Sequence, residues 1–223
     1  MIKSIINQVN RSVKGNVLRH RSDDHQAQLK GRWQDARYIA VDLETDGLEP
    51  QQDAILTVGW VPIAPPRIRL FEADYGVVKN TRPLSQSAVI HQLSEADVRG
   101  GEPLENVLRR LALRLEGAVL VAHHAPFDWA FLRHAFARFD IACTPLALMD
   151  TLQMERQRLA RKKAWLEKGE LTLAACRTRY GLPDVRQHHA LSDAIACAEL
   201  FLAQSYQIVG SQQTSLRELL RYA

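Results

Sequence analysis

Five residues stand in settings where acids and an imidazole can do chemistry: Asp42, Glu44, Asp128, His188 and Asp193. Asp42-Leu43-Glu44 closes a β-rich apolar run that begins at Tyr38. Successive side chains of a strand point to opposite faces, so Asp42 and Glu44 share one face and Leu43 takes the other. Two adjacent carboxylates repel unless a cation neutralises them, and hard oxygen ligands suit Mg²⁺ or Mn²⁺. In Val119-Leu-Val-Ala-His123-His124-Ala-Pro-Phe-Asp128, an apolar strand leads through a short loop into a helix that opens at Pro126. Asp128 in its first turn either complements the helix dipole or adds a third carboxylate at the C-terminal edge of a neighbouring strand, where open α/β sheets carry their sites. In His188-His189-Ala190-Leu191-Ser192-Asp193, His188 lies in a loop or first turn and Asp193 about one turn further on, before Ala194, Ile195 and Ala198. A carboxylate in such an apolar helix is costly unless it is paired or metal-bound.

These residues need a scaffold, and the composition allows one. The chain has 223 residues, 46% apolar and 24% charged. That is globular composition, which excludes a fibrous or wholly disordered chain, and the length supports a core without disulfide or metal staples. There is no apolar run of about 18 residues to cross a membrane. The stretch Met1–His20 is polar and basic rather than a secretory signal. Cys143, Cys176 and Cys197 show no CxxC spacing, which points to a reducing, cytoplasmic location and away from structural zinc. Residues 1–37 hold eight Lys/Arg against three Asp/Glu, and the remainder holds 21 against 22, so the formal +4 comes from the N-terminal arm. A basic arm fits either a polyanion partner or a solvated helix packed on the domain.

The elements follow from periodicity and punctuation. A helical extension is expected over 1–34, a domain over 35–209 and a short helical tail over 210–223. Strands are expected over Tyr38–Leu43, Ala54–Ile63 and Arg67–Tyr75, joined by turns at Asp46-Gly47 and Pro65-Pro66. The short links predict an antiparallel meander. Strands Ala118–Ala122 and Leu146–Met149 then alternate with helices over Pro103–Leu115, Pro126–Phe139, Thr151–Lys168, Leu171–Tyr180 and Ala190–Val209. The expected fold is α/β: a mixed sheet of five strands, three antiparallel and then parallel, with helices on both faces. In the tail, Ser215 and Glu218 form a capping-box pattern, and Gln212-Gln213-Thr-Ser-Leu216 faintly resembles a sliding-clamp motif.

Taken together, Asp42-Leu-Glu-Thr-Asp-Gly47, His123-His-Ala-Pro-Phe-Asp128 and His188-His-Ala-Leu-Ser-Asp-Ala194 resemble the three motifs of the DEDDh 3′–5′ exonucleases. That family includes the proofreading epsilon subunit of bacterial DNA polymerase III, ribonuclease T and oligoribonuclease. Ala88-Val-Ile-His91 and Met149-Asp-Thr-Leu152 add lesser matches, and the resemblance covers about residues 36–205. It implies a ribonuclease H-like fold and two Mg²⁺ or Mn²⁺ ions held by Asp42, Glu44, Asp128 and Asp193. His188 is then the general base, and Thr45, Leu48, His91 and Phe127 are contacts to the terminal nucleotide. The implied substrate is the 3′ end of single-stranded nucleic acid, DNA before RNA, with nucleoside 5′-monophosphates as products. A polymerase or sliding clamp is the implied protein partner. Arg156, Arg158, Arg161, Lys162 and Lys163 offer a cationic path for the strand. The alternatives are an RNA-trimming exoribonuclease and a non-catalytic binding subunit. His124, Asp46 and Gln92 stand where the family usually has Asn, Thr and Gly. These departures bear on substrate preference rather than on the metal ligands.

Overall fold

The computed structural model describes residues 24–80, 95–161, 165–185, 188–210 and 213–223. Strands β1 (Tyr38–Thr45), β2 (Ile55–Ala64), β3 (Arg67–Ile68), β4 (Asp74–Val77), β5 (Val119–Ala122) and β6 (Ala147–Asp150) build one mixed sheet. β2 lies antiparallel to β1, β3 and β4, whereas β5 is parallel to β1 and to β6. The expected third strand, Arg67–Tyr75, is thus two segments along the same edge of β2. A 3-10 turn at Leu70–Glu72 interrupts it, with the Glu72 and Ala73 N–H groups bonded back to Arg69 and Leu70.

Helices α1 (Glu95–Arg99), α2 (Leu104–Leu115), α3 (Ala125–Arg138), α4 (Thr151–Ala160), α5 (Leu173–Arg179), α6 (Ala190–Val209) and α7 (Leu216–Leu219) follow the chain. The alternation of β1 divides the core. Ile39, Val41 and Leu43 pack with α2 and α3 on one face, while Tyr38 and Ala40 pack with α4 and α6 on the other. Asp42 and Glu44 therefore point to the α6 side. Both faces of β1 are covered, which explains its nearly unbroken apolar sequence.

The helix expected to reach Lys168 ends at Ala160. Its continuation becomes a turn around Gly169, at φ +88°, where the Thr172 N–H reaches the Gly169 carbonyl. Arg158, expected on a cationic path, is instead committed to the buried Glu155 at 2.6 Å and stacks over Tyr180. Lys162, Lys163 and the lesser motif match at Ala88–His91 fall outside the described residues, as does the arm before Asp24. Residues 24–30 are helical, and the His25 ring meets the Leu146 carbonyl at 2.9 Å. Trp33 is fully buried with Leu216 and Leu219, and the Trp33 and Leu216 N–H groups bond to Thr214 and Gly31 across the two ends of the chain. The Ser215–Glu218 capping box forms at α7.

One packing contact sets where α6 begins. A Cβ added to Gly59 of β2 would lie 2.3 Å from the Leu191 nitrogen and 2.4 Å from the Ala190 carbonyl carbon. These are backbone atoms, so no side chain can swing aside. Gly59→Ala is expected to lower stability by about 1–3 kcal/mol through overpacking, read as a lower urea midpoint. An unchanged midpoint would mean that α6 tolerates a different seat.

Candidate active site

Each acid is delivered by a different local rule. Asp42 and Glu44 are one strand period apart at the end of β1, with Asp42 in register with Gly59 and Glu44 with Thr57. The first turn of α6 rests on Gly59 and brings Asp193 above the same face. Ligand oxygens of Asp42, Glu44 and Asp193 lie within 4.8 Å of one another. Asp128, buried in the first turn of α3, falls outside that trio, but its charge still acts on Asp42. α3 is aimed by an unusual start. His124 is left-handed at φ +87° and ψ +50°, and its N–H donates to Asp150 Oδ1 at 3.0 Å. Asp150 also accepts from the Leu152 N–H at 3.0 Å, so one carboxylate caps α4 and fixes the turn into α3. The left-handed region tolerates Asn, Asp and His better than most residues, so His124 suits this turn.

The three histidine settings differ. His123 is wedged between the Thr151 hydroxyl at 2.8 Å and the Leu171 carbonyl at 2.7 Å, and burial lowers its pKa. A carbonyl only accepts, so Nε2–H donates to Leu171 and Nδ1 accepts from Thr151. His189 is the N-cap of α6, its Nδ1 accepting from the Ser192 N–H at 3.4 Å, and its ring stacks on Tyr75. His188 is exposed and left-handed at φ +65°, and its backbone N–H donates to Asp193 Oδ2 at 2.8 Å.

The other Asp193 oxygen, Oδ1, is buried without a hydrogen-bond partner. A buried carboxylate oxygen left open beside two further carboxylates fits a divalent cation, which accepts such oxygens as ligands. Of the expected substrate contacts, Thr45 is buried and its hydroxyl donates to the Gly47 carbonyl at 2.7 Å. Leu48 is 76% exposed beside this strand end. Phe127 is half-buried against Phe131 with ring centroids 5.0 Å apart. His91 lies outside the described residues. Gly59, Tyr75 and Asp150 shape the site without appearing among the expected residues. Of these, only Asp150, before Thr-Leu at a strand end, had a local cap signal.

Burial dominates the electrostatics. It pushes Asp42 up, and the charges of Asp128, Glu44 and Asp193 add to the rise. Burial likewise raises Asp193, opposed by the His188 backbone hydrogen bond. Asp128 is pushed up to about 8, mainly by burial, against opposing backbone hydrogen bonds from its own N–H and that of Leu43.

Acids gathered at one end of a central strand on a ribonuclease H-like sheet are the architecture of phosphodiester-cleaving nucleases. The chain belongs to the exonuclease family: the RNase_T exonuclease model matches residues 39–201. It is similar to a DNA polymerase III PolC-type protein of Thermotoga maritima, 30% identical over 187 residues, which are 83% of this chain and 13% of that protein. It is also 32% identical over 171 residues to a DNA polymerase III subunit epsilon-like protein of Rhodobacter capsulatus, 74% of this chain and 23% of that protein. The chain thus spans under a quarter of the length of these two relatives. Among solved structures, Exonuclease X in complex with 5′ overhanging duplex DNA superposes with TM-score 0.59 at 23% identity, over 82% of this chain and 98% of that one. E. coli Exonuclease I in complex with a dT13 oligonucleotide gives TM-score 0.64 at 16% identity, over 84% and 43%. Among the described residues, no helix is long and apolar enough to cross a membrane.

The raised carboxyls predict a pH dependence. In metal-free protein the folded state keeps protons on Asp42 and Asp128 that the unfolded chain has already released. Their contribution to stability is present at low pH and is lost as pH rises through the folded-state values. In chelator, the melting temperature is expected to fall from about pH 5 to about pH 9, and Asp128→Asn to flatten the slope. A rise across that window in wild type would contradict the electrostatic picture.

Proposed function

We propose that this chain is a metal-dependent 3′–5′ exonuclease of the DEDDh type. In this reading it hydrolyses the terminal phosphodiester of single-stranded DNA and releases nucleoside 5′-monophosphates. The observation that carries the reading is the trio of Asp42, Glu44 and Asp193, whose ligand oxygens lie within 4.8 Å of one another, with Asp193 Oδ1 buried without a hydrogen-bond partner and Oδ2 holding the backbone of His188. Asp42, Glu44 and Asp193, with Asp128, would hold two Mg²⁺ or Mn²⁺. Bound divalent cations supply charge neutralisation at the phosphate and lower the pKa of water.

The chain's own residues do the rest. His188 is exposed at the rim, and its imidazole takes the proton of the attacking water as general base. His123 is excluded as the base, because both of its ring nitrogens are engaged by Thr151 and Leu171. Thr45, Leu48, His91 and Phe127 flank the terminal nucleotide, Leu48 and Phe127 through apolar surface. DNA is preferred over RNA as substrate because the relatives are polymerase III proteins by name, and a DNA polymerase is the partner those names favour.

The test is digestion of labelled single-stranded DNA, mismatched duplex DNA and RNA side by side, with product identification. Release of 5′-mononucleotides from 3′ ends is expected, fastest on single-stranded DNA and abolished by chelator. RNA degraded faster would replace the DNA reading with the exoribonuclease one. Full activity in chelator would exclude the metal-dependent reaction. His188→Ala is expected to cut turnover by about a hundred- to ten-thousand-fold, with divalent-metal binding retained. Wild-type turnover in that variant would remove His188 as the base.

A further inference from the structure

Tyr75 lies in β4, in register with Gly59 and through it with Asp42, so its backbone is fixed by the same ladder that carries the acids. Its ring stacks on His189 with centroids 4.6 Å apart and planes inclined by 20°. His189 is the hinge between two critical neighbours. Its ring nitrogen caps α6 at Ser192, and its carbonyl accepts the Asp193 N–H at 3.0 Å. On its other side, His188 holds a left-handed conformation at φ +65°. Histidine tolerates that region better than most residues, but at a local cost that surrounding contacts offset.

Two further contacts bear on this turn. Asp193 grips the His188 N–H at 2.8 Å, and the Tyr75 ring clamps the next residue. His188 and His189 are both exposed, so the hydrophobic core does not immobilise either imidazole. A flat aromatic face anchored in the sheet does what core packing cannot do at a solvent-facing helix start. The face makes the stack, so phenylalanine can make it too.

We propose that Tyr75 is a positioning residue for His188, acting through the stacked ring of His189; this rests on the reading of His188 as general base. Tyr75 is not itself catalytic. It restrains the two-histidine segment, whose His188 N–H is held on Asp193, and so limits where the His188 imidazole can go.

The test uses the full chain with Mg²⁺ and a single-stranded DNA oligonucleotide. Tyr75→Ala and Tyr75→Phe are made in wild type and in His188→Ala, and kcat and KM are measured separately. Misplacement of a reacting group predicts that Tyr75→Ala lowers kcat by about ten- to a hundred-fold while KM moves by less than about twofold. Tyr75→Phe is expected to restore kcat. In the His188→Ala background, Tyr75→Ala is expected to add no further loss, because the group it positions is gone.

Wild-type kcat in Tyr75→Ala would overturn the proposal. So would a Tyr75→Phe as slow as Tyr75→Ala, or a full additive loss in the double variant. His188→Ala alone reports on the base reading, so failure there is distinguishable from failure of the Tyr75 role. If Tyr75→Ala does not fold by circular dichroism, Tyr75→Leu keeps apolar bulk without the flat face and is held to the same outcomes.

Discussion

Three carboxylates within 4.8 Å of one another repel, and in this protein an uncharged contact keeps them together. The first turn of α6 lies directly on Gly59, so close that a single methyl group would collide with its backbone. Asp42 and Glu44 face α6 because strand alternation puts them there. Asp193 meets them because α6 can come down onto a strand that has no side chain at that register. The position of His188 follows from the same contact, since its N–H hangs on the second oxygen of Asp193. The acidic trio and the nearby imidazole are consequences of one backbone approach.

The arrangement has an energetic cost that the rest of the fold offsets. Burial raises the carboxyls of Asp42, Asp128 and Asp193, and mutual repulsion adds to the rise at Asp42. Two left-handed histidines, His124 and His188, add local strain, and each is held by a buried carboxylate, Asp150 or Asp193. Against this stands a sheet covered on both faces. The α2 and α3 side is lined by leucines, valines and phenylalanines, and the α6 side is closed by Trp33, Phe201 and Leu216. Functional sites commonly concentrate strain in this way, with rigid elements around them supplying the stability.

Each acid alone is a weak signal in the sequence; the joint resemblance of the three motifs singles them out, and the structure brings Asp42, Glu44 and Asp193 together. The span Ala190–Val209 followed from helical periodicity, and the antiparallel-then-parallel sheet from the lengths of the links between strands. What stayed hidden depends on register between distant segments. Nothing near Gly59 announces that Ala190 and Leu191 will lie against it, and Tyr75 reads as an ordinary strand aromatic. The break at Leu70–Glu72 was invisible because the flanking residues suit a strand equally well. The basic run after Thr151 reads as one helix to Lys168, but the helix ends at Ala160 and tertiary partners decide the fate of Arg158. Glu155, fully buried, draws in both Arg158 and Arg179 at 2.6 Å, and the turn at Gly169 brings Leu171 to His123.

Asp193, carried by a helix whose first turn sits on Gly59, is proposed to complete a divalent-cation site with Asp42 and Glu44. Mn²⁺ binding followed by electron paramagnetic resonance tests it most directly, comparing wild type with Asp193→Asn and Gly59→Ala. Saturable binding to wild type is expected, with strong weakening in Asp193→Asn and weakening in Gly59→Ala although every carboxylate is retained. Wild-type protein that binds no Mn²⁺, or an Asp193→Asn variant that binds it equally well, would contradict it.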